Sequence, residues 1–342
     1  MLSKGKKLQY IIIFLALISI TFYLLLKDYS PGQLYGLISK LNYSYLILGS
    51  ILAFIYIICE SMAFKIIFKR LGQKTKFLQL IKYSFIGFYF SAITPSSSGG
   101  QPMQMYFMKK DKIEISKSSL SIVLCLMGYQ IALIILTTIS SILNYNLLLE
   151  QTAKVKFLFI LALISNLILL GFILGAVFSK RFFPKIIDFI FKKIINKIKF
   201  VKKKKEKRAK VDEVIEDYHR CSNLFKNSPK LLTIIIGIYI LQLTIRFSIT
   251  YIVSLAMNLN SASIIKFITI QALILFCVSS LPIPGGVGIS EFLYITFFSI
   301  LVSKELINNA ALVNQIVVYY LPVLLGACIV IYAQWKIGKN KR

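Results

Sequence analysis

Two polar interruptions carry the residue types that could hold a ligand in this otherwise apolar chain. The first is Thr94-Pro95-Ser96-Ser97-Ser98-Gly99-Gly100-Gln101-Pro102. The second is Leu281-Pro282-Ile283-Pro284-Gly285-Gly286-Val287-Gly288-Ile289-Ser290-Glu291. Proline removes a backbone donor and fixes φ, and glycine permits turns and close approaches closed to other residues. A helix restarting after such a break presents free N–H groups, which favour an anion such as a lipid phosphate. A tight turn without a ligand is the alternative for either break alone; two breaks together favour a site. The expected binding residues are Pro95, Ser96, Ser97, Ser98, Gly99, Gly100 and Gln101 from the first break, and Pro284, Gly285, Gly286, Gly288 and Glu291 from the second.

Charge inside apolar runs is the second signal, because it is costly in lipid and marks functional positions. Arg246 lies midway along an apolar run, one turn after Gln242. Arg246 and Glu291 could meet a phosphate and a cationic group, or could simply pair with each other. Glu60 reads as a headgroup-level residue that snorkels outward. Tyr319 and Tyr320 precede Pro322; packing is the simpler role, and Tyr319 is kept as a binding candidate. No catalytic, metal or cofactor site is expected. The one histidine, His219, has no partner motif, and the five cysteines form no C-x-x-C pair. No Walker A sequence is present, so direct ATP drive is not expected.

The elements that must position these residues follow from composition. Of 342 residues, 57 % are apolar and 16 % charged, mean hydropathy is +0.75, and the net charge is +28. Soluble domains carry about 25 % charged residues, so a multi-pass membrane protein is expected, with Lys and Arg gathered in cytoplasmic loops. Apolar blocks run over Leu8–Leu26, Tyr43–Phe64, Tyr83–Thr94, Ser119–Leu143, Phe157–Phe178, Leu231–Met257, Ile264–Leu281, Glu291–Val302 and Ala310–Trp335. Lysines flank the first block, the loop after the second and the segment after residue 108, so residues 83–108 enter and leave on the inner face. Twelve helical residues rise about 18 Å, half a bilayer, which predicts a re-entrant hairpin. By parity, residues 264–303 open to the outer face. The expected fold is an all-α polytopic membrane protein. It has about six full spans plus two broken or re-entrant hairpins, with eight spans as the alternative count. The units 43–143 and 231–335 are opposed as in an inverted repeat.

Residues 180–230 hold 17 Lys/Arg against 6 Asp/Glu. This is the expected cytoplasmic basic loop within a single 1–342 domain. Phe183, Ile186, Ile187, Ile190, Ile194 and Ile198 recur at helical spacing, so residues 183–198 read as an amphipathic helix on the anionic inner leaflet. Residues 211–225 read as a short soluble helix. Nucleic acid is not an expected partner, since no recognition module accompanies the charge.

The two broken segments, as they stand at Thr94–Pro102 and Leu281–Glu291, resemble the signatures of the lysylphosphatidylglycerol synthase transmembrane region, the flippase-like domain. The resemblance covers about residues 8–335. It implies a lipid translocator for aminoacylated phosphatidylglycerol or another anionic or lipid-linked headgroup. In bifunctional members a separate cytoplasmic domain makes that lipid, and the resemblance carries the inherited activity name phosphatidylglycerol lysyltransferase. Here the sequence ends at Arg342, seven residues after Trp335. The expectation is therefore a stand-alone form, with a separately encoded synthase as a possible partner. The family often places Trp-Arg shortly before the Tyr-Tyr pair; Asn314 and Gln315 stand there instead, which leaves Arg246 to meet an anionic headgroup. The other readings are a membrane subunit of a split lipid aminoacyltransferase and a non-transporting scaffold. The expected location is the cell membrane, with both termini cytoplasmic.

Overall fold

The computed structural model describes residues 38–94, 97–146, 153–179, 204–259, 262–279, 289–303 and 306–339, with Gly32 and Gly36. The first apolar block, the amphipathic stretch 183–198, Pro95, Ser96, and the segment holding Pro284, Gly285, Gly286 and Gly288 lie outside those residues. Among the described residues every regular element is helical: α1 (Tyr43–Arg70), α2 (Phe77–Ile93), α3 (Gly100–Lys110), α4 (Ile115–Leu143), α5 (Ala153–Phe178), α6 (Lys204–Lys226), α7 (Pro229–Ala256), α8 (Ile264–Ser279), α9 (Ile289–Phe298), α10 (Ile307–Gln315), a π-helical turn (Ile316–Tyr320) and α11 (Leu321–Lys339).

Five of these stretches are long and apolar enough to cross a membrane: α1, α4, α5 from Val155, α7, and the continuous run Ile307–Lys336. Their ends follow local chemistry. The Asn42 side chain caps α1 by accepting the Ser44 N–H at 3.1 Å. Lys69 and Arg70 occupy its last turn, where cations offset the helix dipole. Pro229 opens α7 at a position that needs no N–H donor. The outer face of α5 exposes Phe157, Ile164 and Ile168, as a lipid-facing helix does.

The two shorter pairs match each other. α2 and α3 have 17 and 11 residues; α8 and α9 have 16 and 10. The short arms rise about 15–16 Å, well under a hydrocarbon core of about 30 Å. These lengths fit hairpins better than four further full spans. α2 starts at Phe77, six residues before the expected Tyr83. The extra turn and a half lies below the hairpin, because Lys82 and Tyr83 bond Asp111 just past the end of α3. The paired depth thus spans residues 83–110, close to the expected 83–108.

Contacts also exchange as two related units require. α1 packs on α7, α2 packs on α11, and α8 packs on α4. Relating α1 to α7, α2 to α8 and α4 to α11 turns the second of these contacts into the third. Small residues make the crossings close. A Cβ on Gly128 of α4 would stand 2.7 Å from the Tyr239 ring of α7, and one on Gly326 of α11 would stand 2.9 Å from Tyr89 Cβ of α2.

The charged segment after α5 forms a longer helix than the 211–225 expected, and it docks. Phe225 of α6 is fully buried, and the hydroxyls of Tyr218 and Ser222 donate to the carbonyls of Ala176 (3.2 Å) and Val177 (2.6 Å) at the end of α5.

Candidate functional site

α7 presents Tyr239, Gln242, Arg246 and Thr250 at three- and four-residue spacing, which puts all four on one helical face. Tyr56 and Glu60 lie one turn apart on α1, which packs against that face. Together with both hairpins and the π-helical turn, these helices enclose a chamber of about 580 Å³. The first hairpin contributes Ser97, Gln101 and Gln104; the second contributes Ser290 and Glu291. α10 and the π-helical turn contribute Asn314, Gln315 and Tyr319. So Ser97, Gln101, Arg246, Glu291 and Tyr319 converge on one space, as a shared site between the two breaks requires.

Other expected residues do not line it. Ser98, Gly99 and Gly100 belong to the hairpin turn instead. The Gly99 N–H donates to Thr94 Oγ1 at 2.8 Å, so that amide is not free for an anion. The Thr94 hydroxyl in turn donates to the Phe90 carbonyl at 2.6 Å. Gly100 fits because a Cβ there would overlap Ser91 Oγ and stand 2.6 Å from the Gly87 carbonyl oxygen. Ser97 sits at φ +54°, a left-handed conformation that turns the chain. The turn therefore packs through Gly99 and Gly100, and among its described residues Ser97 and Gln101 line the chamber.

The charges inside the chamber are not paired with each other. The Arg246 guanidinium lies over the Tyr56 ring, 5.6 Å from its centroid. Among the described residues it makes no ion pair, so the Arg246–Glu291 bridge is not formed. Glu291 instead occupies the first turn of α9, where the helix dipole favours a carboxylate. Glu60 does not snorkel. Its Oε1 accepts from Gln104 Nε2 at 3.2 Å, and Ser84 also bonds it. α1 continues to Arg70, which leaves Glu60 about 15 Å from that end.

The remaining polar groups divide into bonded and unbonded atoms. Gln242 Nε2 donates to the Tyr56 carbonyl at 2.7 Å, while Gln242 Oε1 is buried with no partner. Gln315 Oε1 is likewise buried and unpartnered. Asn314 Oδ1 accepts from Thr250 at 2.9 Å, and the Tyr319 hydroxyl donates to the Ala92 carbonyl at 2.7 Å. Tyr319 thus ties the last span to the first hairpin and lines the chamber as well. The π-helical turn that carries it is a geometry often found at functional sites. Sequence reasoning missed Gln104, Gln271 and Gln315 as chamber residues. The available signal was the amide side chain recurring inside apolar helices.

Residues 11–326 match the family described as the lysylphosphatidylglycerol synthase TM region. The chain belongs to that family. A UPF0104 membrane protein of Archaeoglobus fulgidus is similar to it, 22 % identical over 329 residues that cover 93 % of this chain and 95 % of that protein. Both findings agree with a membrane protein. Within the family fold, Asn314 and Gln315 face the chamber where the resemblance implied Trp-Arg, and the chamber's arginine comes from α7.

Proposed function

We propose that this member of the family is a lipid translocator, which carries the headgroup of an anionic or lipid-linked lipid between leaflets while the acyl chains stay in the bilayer. The observation that carries the reading is Arg246: a guanidinium at membrane depth, lining a chamber shared by both hairpins, with no ion pair among the described residues. A half-buried arginine at membrane depth, with no ion pair among the described residues, is costly, and a ligand phosphate would offset that cost through charge-assisted, bidentate hydrogen bonds. Glu60 and Glu291 stand as acceptors for hydroxyl or ammonium groups of the same headgroup. The cell membrane, with cytoplasmic termini set by the lysine-rich loops, is the proposed location.

The test is flipping of fluorescent phospholipids in proteoliposomes by wild-type protein and Arg246→Gln. Wild-type flipping that the substitution reduces about a hundredfold supports the reading, since lost contacts to a charged group cost about 1.5–3 kcal/mol. Equal flipping by both proteins would sink it.

A further inference from the structure

We infer that Glu60 is a proton-binding site, and that the chamber moves a monoanionic lipid headgroup together with one proton; this rests on the translocator reading above and names its energy coupling. Glu60 stands at membrane depth on α1 and lines the chamber. A carboxylate there is costly when ionised, and such groups recur in proton relays. Among the described residues Glu60 makes no ion pair. The side chains that bond it are neutral: Gln104 Nε2 donates to its Oε1 at 3.2 Å, and Ser84 also bonds it.

That neutral shell suits both protonation states of the carboxyl. Ser84 Oγ lies 3.0 Å from Ser61 Oγ, both residues are buried, and either hydroxyl can donate in the bond. With Glu60 ionised, Ser84 donates to the carboxylate and Ser61 donates to Ser84. With Glu60 protonated, the carboxyl O–H donates to Ser84, and Ser84 donates to Ser61. The hydroxyls reverse, and the bonds among the three groups are kept in either state. A lysine or arginine in their place would hold the ionised form. Gly87 of α2 makes room for the shell. A Cβ there would stand 2.2 Å from Gln104 Nε2, so a side chain at 87 would push the amide off Glu60.

The surrounding charges tie the proton to the headgroup. Among the described residues the charged groups lining the chamber are Glu60, Arg246 and Glu291. From α7, Arg246 lies over the ring of Tyr56, which is one turn before Glu60, and Tyr239 shares that α7 face. α4 brings Cys125 and Tyr129; the second hairpin and the π-helical turn bring Tyr294 and Tyr319. On α2, Lys82 and the Tyr83 hydroxyl are engaged with Asp111 at the base of the hairpin. Lys65, the next charge along α1, lies over the Phe77 ring at 5.5 Å. Glu291 sits in the first turn of α9, where the dipole favours a carboxylate; Glu60 is in mid-helix and has no such support. With both carboxylates ionised, the three groups carry one net negative charge, and a phosphodiester would add a second. A proton on Glu60 cancels that addition in a space where charge is poorly screened. Anion and proton therefore favour each other's binding, and the coupling is reciprocal. Where a headgroup brings its own ammonium to Glu60, no proton is taken.

The experiment uses the full chain in proteoliposomes with phosphatidylglycerol labelled on an acyl chain. Dithionite quenching reads its outer-leaflet fraction, and protein-free vesicles give the baseline. One proton per monoanionic lipid makes the step electroneutral. A gradient of about one pH unit should therefore enrich the lipid up to about tenfold in the leaflet facing the alkaline side, and a potassium diffusion potential at equal pH should leave the leaflets even. A second readout needs no flipping. Calorimetry in two buffers of unlike ionisation enthalpy counts the protons taken up as phosphatidylglycerol binds to detergent-purified protein. Wild type should take up protons, to a limit of one per lipid; Glu60→Gln should take up none, whatever its flipping rate. Flipping to even leaflets under the pH gradient, or a distribution that follows the potential, overturns the inference and leaves the translocator reading standing. Equal uptake by wild type and Glu60→Gln, or uptake lost in Glu291→Gln and kept in Glu60→Gln, also overturns it. Uptake that depends on Glu60, with no lipid flipped under any gradient, keeps the proton site and removes the translocator reading.

Discussion

Asn166 and Gln242 are both amides buried at membrane depth, and they differ in one respect that separates structure from binding. Asn166, 2 % exposed on α5, uses everything it has. Its Nδ2 donates to the carbonyls of Ala162 (2.8 Å) and Phe276 (3.3 Å), and its Oδ1 accepts from Gln130 (2.8 Å) and Ser279 (3.2 Å). The group knits α4, α5 and α8 together. Gln242, 6 % exposed on α7, uses only its nitrogen, and its oxygen has no partner among the described residues. Buried polar groups are normally satisfied, so an incomplete set one turn from Arg246 marks a candidate binding position, whereas a closed network marks a fold contact. Residue type alone does not distinguish the two; hydrogen-bond completeness does.

The largest expected effect would break the comparison if it failed. Arg246→Gln should lose about a hundredfold in translocation, yet its melting temperature in detergent should stay at or above wild type, because the substitution removes a half-buried charge that makes no ion pair among the described residues. A melting temperature that falls with the activity would make Arg246 a structural residue. Asn166→Leu should behave in the opposite way. It removes four hydrogen bonds, leaving Gln130 only the residue-166 carbonyl at 3.3 Å and Ser279 only the Phe276 carbonyl at 2.8 Å, and about 2 kcal/mol of stability should go, read as a lower unfolding midpoint. Translocation at a temperature where the variant stays folded should change little. If Asn166→Leu left the midpoint unmoved, completeness of hydrogen bonding would be no guide to structural role in this chain.

Much of this frame was readable in the sequence, and the reasons it ran out are physical. Long apolar runs gave α1, α4, α5, α7 and the last span, because length and composition suffice for a membrane helix. The Ser/Gly and Pro/Gly breaks gave two hairpins, and Arg246 stood out as a charge in mid-run. Glu60 differs from the outward-snorkelling expectation because α1 continues past Phe64 to Arg70 and because Gln104 and Ser84, on other helices, hold the carboxylate, a partnership that spacing along α1 does not encode. The Arg246–Glu291 pair was an open choice because pairing depends on distances across elements. Gly99 and Gly100 were taken as anion-facing, but a side chain five residues back, Thr94, captures the Gly99 N–H. Such local capture depends on rotamers, which spacing does not encode.

Thr94 supplies a smaller test on the first hairpin. Thr94→Val keeps the shape but deletes the acceptor for the Gly99 N–H and the donor to Phe90. About 1 kcal/mol of stability should be lost, and hydrogen exchange at the Gly99 amide should accelerate while amides in the middle of α4 stay protected. Unchanged exchange at Gly99 would mean that the turn is held by packing at Gly100 alone.

The smallest effect belongs to the base of the same hairpin, where Lys82, Tyr83 and Asp111 form a satisfied cluster at the membrane edge. Burial works against ionisation of Asp111, but hydrogen bonds from Lys82 and Tyr83 and the Lys82 charge outweigh it and hold the carboxyl below its usual range. A folded-state value below the unfolded one stabilises the fold above the unfolded pKa of about 3.9 and loses that contribution as pH falls through the lower folded value. The side chains are 21 % and 23 % exposed, so solvent limits the contribution to about 1 kcal/mol or less. Wild-type protein should therefore lose a little more stability than Asp111→Asn between pH 5 and the acid limit of the measurement, and the two should differ by a constant offset above pH 5. Parallel curves throughout would show that Asp111 titrates alike in the folded and unfolded chain, and that the cluster holds α2 to α3 by geometry rather than by charge.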